Sequence, residues 1–375
     1  MEKFSSYRDP GTGIQPFLTP LPPAGSDIFA TALLPFGYIL GVARTALIVV
    51  LGLVYAILVG GVCTLLKPVP PLYRIVTHVL TAIIARTVLL LVGLLWIPAE
   101  HITRKRVKGA KYVESWNPKA GDVIVTNWVS WIELLWLAYR CNPIFLVPVA
   151  NPAEATLELP SVPVSRTPGR RTGTGSAAIS SPATRAPSRR ADILGFQEFS
   201  LFGILAHTGQ PPLPSTSTAR SFEEIRAKAD RPVVVFPECT TSNGRGLLRF
   251  AEVFKGVEVP VRKYKVFVMC VRYDPPSSLS PSLSNSIPSS VLNPLPHIFK
   301  LTTSLTPLSV SIRLLNPVEA PSSGSFLLSE FLTNEPEDTL SEVCAMLIAQ
   351  IGKMKRVGMG WEDKVAFLDF FRAKK

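Results

Sequence analysis

Three observations predict an α/β domain held behind a hairpin of two apolar helices. Short β-branched runs alternate with stretches of helical periodicity from residue 121 onward. The N-terminal third carries two long apolar segments and lifts the mean hydropathy of the chain to +0.29. Finally, Val233-Val-Val-Phe236 runs into Pro237 and a polar turn, the pattern of a central strand covered on both faces.

Residues 1–27 read as a polar leader, and 28–100 as the hairpin. Thr45 to Leu66 has no charge over about 22 residues, long enough to cross a bilayer core. Ile75 to Ile97 contains His78 and Arg86 and keeps only about 11 uninterrupted apolar residues after the arginine, too few to span alone. The pair therefore either crosses the bilayer or re-enters as a wedge, with Lys67 to Arg74 as its turn. Arg104, Lys105, Arg106, Lys108 and Lys111 follow at once and favour a cytosolic face by the positive-inside rule. Five cysteines without a Cys-x-x-Cys pair supply neither a disulfide framework nor a metal set, and no Asn-x-Ser/Thr site occurs.

The net charge of +12 raises nucleic acid as a partner, but no recognition motif supports it. Basic residues beside an apolar hairpin instead attract anionic lipid headgroups, each by about 1 kcal/mol. Membrane lipid is the expected partner.

Residues 101–320 form the expected core domain, with solvated insertions at 160–191 and 274–296, both poor in large apolar residues or dominated by Ser and Pro. Strands are expected at Val123 to Thr126, Ile144 to Val149, Val233 to Phe236, Val266 to Val271 and Ser309 to Leu314. Helices are expected at Trp131 to Tyr139, Phe196 to Ala206 and Phe222 to Lys228. A helical tail covers 330–375. Leu340, Val343, Leu347 and Ile351 share one face of its first helix, and Gly358 and Gly360 break it before Trp361 to Ala373. Phe367, Phe370 and Phe371 of the second helix dock on the core, lie on a membrane or bind a partner.

The chemistry is concentrated in two blocks. After the Val233 strand, Thr240, Thr241 and Ser242 offer hydroxyls, Asn243-Gly244 allows a tight turn, and Arg245 supplies a forked cation, together suited to phosphate. Glu238 fits such a turn as an orienting group. Upstream, Gly121 to Thr126 reads as a strand and leads into Asn127-Trp128-Val-Ser130-Trp-Ile-Glu133.

The stretch Phe236-Pro-Glu238-Cys239-Thr240 resembles the Phe-Pro-Glu-Gly-Thr motif of the glycerolipid acyltransferases, and Asn127 to Glu133 resembles their Asn-His-x-Ser-x-x-Asp block. The resemblance implies the glycerophospholipid acyltransferase fold, a mixed sheet flanked by helices. It also implies acyl transfer from acyl-CoA, as co-substrate and with no resident cofactor or metal, to a lysophospholipid. Glu238, Thr240, Thr241 and Arg245 are then the phosphate-binding residues, and Asn127, Ser130 and Glu133 the catalytic ones. Residence at the endoplasmic reticulum membrane or a lipid droplet is expected, a re-entrant wedge also fitting the droplet monolayer that a true span cannot occupy.

Three positions depart from the family. Cys239 replaces its glycine, Glu133 its aspartate, and Trp128 its general-base histidine. An indole only donates a hydrogen bond and accepts no proton. The opening Arg8-Asp-Pro-Gly-Thr-Gly-Ile-Gln-Pro-Phe-Leu18 is similar to a fungal branch of the superfamily that also lacks the histidine, acts on lysophosphatidic acid and is described in vacuolar protein sorting. Two readings stand: an acyltransferase working without the histidine, with Glu133 as base, or a silent relative that binds lipid as a trafficking scaffold. His207, the only histidine between the blocks, is a structural residue or a substitute base.

Overall fold

The structure is a computed structural model describing residues 4–23, 28–104, 115–151, 188–332 and 336–373. Lys105 to Lys111 and most of the 160–191 insertion lie outside those residues.

Two helices, α1 (Ile28–Leu58) and α2 (Pro70–Val92), form the N-terminal hairpin and are long and apolar enough to cross a membrane. The first runs through Arg44, ahead of the charge-free stretch that opens at Thr45, because Arg44 finds partners without interrupting the helix. Its guanidinium donates to the carbonyls of Thr302 (3.3 Å) and Ser304 (3.0 Å), at the C-terminal end of the helix Leu295–Thr302 where a cation also meets the helix dipole. Arg86 donates likewise to the carbonyls of Leu94 (3.0 Å) and Leu95 (2.6 Å) just past the end of α2. Arg44 and Arg86 thus both bond carbonyls at helix ends. Gly41 brings α1 hard against the core domain, since a Cβ there would lie 2.6 Å from Thr303 Cγ2.

Behind the hairpin lies a mixed sheet. Its strands are β1 (Ala99–Ile102), β2 (Val123–Thr126), β3 (Ile144–Ala150), β4 (Ile193–Phe199), β5 (Leu213–Pro214), β6 (Val233–Val235), β8 (Val266–Tyr273) and β9 (Val310–Leu315), while β7 (Gly246–Leu247) pairs separately with β10 (Lys355–Arg356). The spatial order is β1-β9-β8-β2-β6-β3-β4, with β5 beside β3. The central strands β8, β2, β6 and β3 run parallel, and β9 and β4 close the centre with antiparallel pairings. Val123, Val125, Val233 and Val235 join one core beneath the helix Thr339–Gly352. Ile124, Val234, Phe267 and Met269 join the other, beneath α2 and α3 (Ile132–Cys141). Burial on both faces is why the Val233 run shows no alternation.

Four expectations change. The expected helix Phe196–Ala206 is strand up to Phe199, paired antiparallel to β3 with Phe145 opposite Phe199 and Val149 opposite Gly195. Helix begins only at Leu201, where Ser200 Oγ caps it by accepting the Gly203 N–H (3.2 Å). Strand β1 was not foreseen; four short residues beside β9 carry no local signal.

The segment 274–296 is not a solvated insertion throughout: Ser282, Ser284, Asn285 and Ser286 are buried. Hydrogen bonds make that burial affordable for polar residues, because the Asn285 N–H donates to Val129 O (3.0 Å) and its carbonyl accepts from Thr241 Oγ1 (2.6 Å). The leader, polar by composition, also packs into the fold. Tyr7 and Phe17 are buried against Phe367 at ring distances of 5.3 and 5.5 Å, and Asp9 Oδ1 accepts the Gly358 N–H (2.8 Å). Phe367, Phe370 and Phe371 therefore take the docked alternative.

Candidate active site

The two chemical blocks meet because β2 and β6 are parallel neighbours, with Val123 opposite Val233 and Val125 opposite Val235. Their carboxyl ends open at the same edge of the sheet, the edge at which α/β folds ordinarily bind ligands. Glu238 ties the two turns together. Its Oε2 accepts the Trp128 N–H (2.6 Å) and its Oε1 the Leu248 N–H (2.8 Å), while Trp128 O accepts the Ser242 N–H (3.0 Å).

Glu133, in the first turn of α3, organises the loop that precedes it. Its Oε1 accepts the N–H groups of Val129 (2.5 Å) and Ser130 (2.6 Å), and its Oε2 accepts the Tyr273 hydroxyl. Burial pushes this carboxyl up to about 7 against the pull of those three donors. Burial likewise pushes Glu238 up to about 8, opposed by the Trp128 and Leu248 amides and reinforced by the charge of Glu133.

Asn127 is spent on architecture: its amide donates to Val271 O (2.9 Å) and accepts the Val271 N–H (2.8 Å), pinning the end of β2 to β8. Trp128 is a packing residue. Its ring stacks on Phe236 at 4.8 Å, and its Nε1–H donates to Ser130 O (3.1 Å). Two buried hydroxyls, Ser130 Oγ and Thr240 Oγ1, have no hydrogen-bond partner among the described residues.

Beside this edge lies an apolar chamber of about 390 Å³. Ile48, Gly52 and Val88 of the hairpin line it together with Trp131, Leu135 and Leu205. His207 sits at the far side of Trp128, ring centroids 6.5 Å apart, with Nε2 buried and unpartnered among the described residues. Burial lowers its pKa to about 4, so the ring is neutral near pH 7. His297 is fully engaged: Trp131 Nε1–H donates to its Nδ1 (2.9 Å), which leaves the proton on Nε2 to reach Ser282 O (3.0 Å).

Over its whole length the chain is similar to a named protein. A Schizosaccharomyces pombe protein that carries the provisional name lysophosphatidic acid:oleoyl-CoA acyltransferase is 23% identical across 381 residues, covering 100% of this chain and 99% of the relative. No protein-family model matches the chain, and no solved structure matches it.

Asn127, Ser130, Glu133, Glu238, Thr240 and Thr241 come together at one buried edge. Arg245 does not join them: it is exposed, and its backbone N–H donates to Asn243 Oδ1 (3.1 Å). Sequence reasoning missed Tyr273, Asn285 and Lys364. Lys364 alone left a trace, standing on the same helical stripe as Trp361, Phe367 and Leu368, where a lysine has no reason to be unless its head group is used.

Cys239 occupies the left-handed region at φ +58°, the conformation that makes glycine suitable there. Cys239→Gly is expected to leave stability within about 1 kcal/mol, relief of the backbone offsetting the lost thiol packing. Cys239→Val should lower it by roughly 2–3 kcal/mol, because a β-branched residue is strained at that φ. Urea unfolding of both variants checks the pair.

Proposed function

We propose that this chain transfers a long-chain acyl group from acyl-CoA to the free hydroxyl of lysophosphatidic acid, yielding phosphatidic acid at a membrane or lipid-droplet surface. The observation that carries the reading is the junction made by Glu238, which joins two blocks 110 positions apart into one carboxyl-edge site beside an apolar chamber. The name of the full-length S. pombe relative supports the same chemistry and substrate pair. The fold is then that of the glycerolipid acyltransferases, and the apolar hairpin holds the site against the endoplasmic reticulum membrane or a droplet, on its cytosolic side.

In the reaction the acceptor hydroxyl oxygen attacks the thioester carbonyl, the carbon–sulfur bond breaks, and the departing thiolate takes up the proton that the hydroxyl loses. Glu133 is the proton carrier between them. A carboxyl held near 7 exchanges a proton readily at neutral pH, and its Oε2 keeps one lone pair beyond the bond from Tyr273. Because a thioester is already activated, alignment of the two substrates supplies much of the rate. Thr240 offers the headgroup a hydroxyl that has no partner among the described residues, with Thr241 beside it and Arg245 at the rim. The chamber takes hydrocarbon.

One observation favours a second reading, a lipid-binding relative without catalysis: Trp128 fills the position of the family histidine as a buried packing residue. Purified protein given lysophosphatidic acid and oleoyl-CoA separates the two. Product from wild type and none from Glu133→Gln supports transfer, whereas binding without product, weakened by Thr240→Val, supports the second reading.

A further inference from the structure

The buried turn at Thr240-Thr241 is met by a lysine that belongs to neither block. Lys364, on the helix Trp361–Ala373, is fully buried, and its Nζ donates to Thr241 O (2.6 Å) and Thr241 Oγ1 (3.2 Å). An ammonium carries three donors, and a buried one ordinarily has a counter-ion. Among the described residues no carboxylate is ion-paired with Lys364. The nearby Glu238 spends its two oxygens on the amides of Trp128 and Leu248. Burial disfavours the charged form of Lys364 and holds its pKa well below the usual lysine range, which Glu238 only partly opposes.

Two further buried donors, one on the same turn and one on the segment hydrogen-bonded to it, are unpaired among the described residues: Thr240 Oγ1 and Asn285 Nδ2. The Thr241 hydroxyl hydrogen is taken by the Asn285 carbonyl (2.6 Å). Thr241 thus links the buried lysine to the segment Ser282–Ser286 through Asn285. A phosphate oxygen asks for the hydrogen bond that this carbonyl now receives. The position of Lys364 is fixed by its neighbours: Asp363 accepts the Gly360 N–H (2.9 Å) and the Ser188 hydroxyl (2.7 Å), and Glu362 pairs with Arg249 (3.1 Å).

We propose that Lys364, together with Thr240 and Thr241, forms the subsite for a phosphomonoester anion, and that the anion displaces the Asn285 carbonyl from Thr241 on entry. This rests on the proposed headgroup site but assigns its central charge to the C-terminal helix, not to Arg245. The leader and tail, which clasp each other through Phe367, then hold part of the binding site.

The test uses the full chain in detergent. Lys364→Met is expected to weaken lysophosphatidic acid about a hundredfold and to leave monoacylglycerol, which lacks the phosphate, unchanged; the exposed control Lys228→Met changes neither. Equal affinity for lysophosphatidic acid in wild type and Lys364→Met overturns the proposal, as does an equal loss for both lipids. Should Lys364→Met fail to fold, hydrogen exchange on the wild type decides. Lysophosphatidic acid should speed exchange at residues 282–286 and slow it at 361–367, and no change in either contradicts the subsite. Inorganic phosphate tells the sources apart: the same exchange response at millimolar phosphate assigns the subsite to free phosphate, and a response to the lipid alone assigns it to the headgroup. Loss of lipid binding in Lys364→Met without acyl transfer by wild type keeps the subsite and removes the catalytic reading, while transfer unaffected by Lys364→Met does the reverse.

Discussion

Glu238→Ala is expected to cost roughly 3–5 kcal/mol of folding stability, since it strands two buried N–H groups, those of Trp128 and Leu248. Against a total of about 5–15 kcal/mol for an ordinary domain, that loss is large enough to deplete the folded protein. Glu238→Gln keeps one acceptor oxygen and should cost about 1–2 kcal/mol. The pair also differs in its response to pH. Burial raises the folded carboxyl from 4.5 to about 8, so the folded state holds a proton that the unfolded chain releases. The stability contributed by that proton is complete below 4.5 and is lost as the pH rises through about 8. Urea unfolding at pH 6 and pH 9 should show a smaller decline in Glu238→Gln than in wild type, and an equal decline contradicts the assignment.

Glu133→Ala is expected to fall in the same range, because the amides of Val129 and Ser130 and the Tyr273 hydroxyl all lose their acceptor. Glu133→Gln separates architecture from chemistry. It retains one acceptor oxygen, so the fold should persist at a cost of about 1–2 kcal/mol, while turnover falls at least about a hundredfold for want of a proton acceptor. In the wild type the carboxyl must be ionised to accept the proton, and burial places it at about 7. The value of kcat/KM should therefore drop about tenfold per pH unit below that point and level off above it. A flat profile from pH 5.5 to 7.5, or a Gln variant as fast as wild type, removes Glu133 from the chemistry.

Much of the site was legible in the chain because strand ends carry their own punctuation. The Val233 run, Pro237 and the hydroxyl-rich turn mark the carboxyl edge of a central strand, and Asn127 to Glu133 marks its neighbour. What stayed hidden depends on pairing between distant segments. Ile193–Phe199 is strand because β3 offers it an antiparallel partner, and nothing local overrides its helical appearance. Asn285 looked like loop because its burial depends on Val129 and Thr241, which are far away in sequence. Arg245 shows the opposite failure: a cation at a persuasive spacing turned outward, while a buried lysine arrived from the tail. Arg44 and Arg86 suggested boundaries to the apolar helices, yet each is accommodated by carbonyls at a helix end.

The central claim is that the edge joined by Glu238 performs acyl transfer to a lysophospholipid acceptor. Its most direct test is to incubate the purified chain with lysophosphatidic acid and oleoyl-CoA and follow phosphatidic acid and released coenzyme A together. The account predicts that the two products appear in equal amounts and that Glu133→Gln forms neither; a folded wild-type protein that binds the acceptor and yields no phosphatidic acid contradicts it.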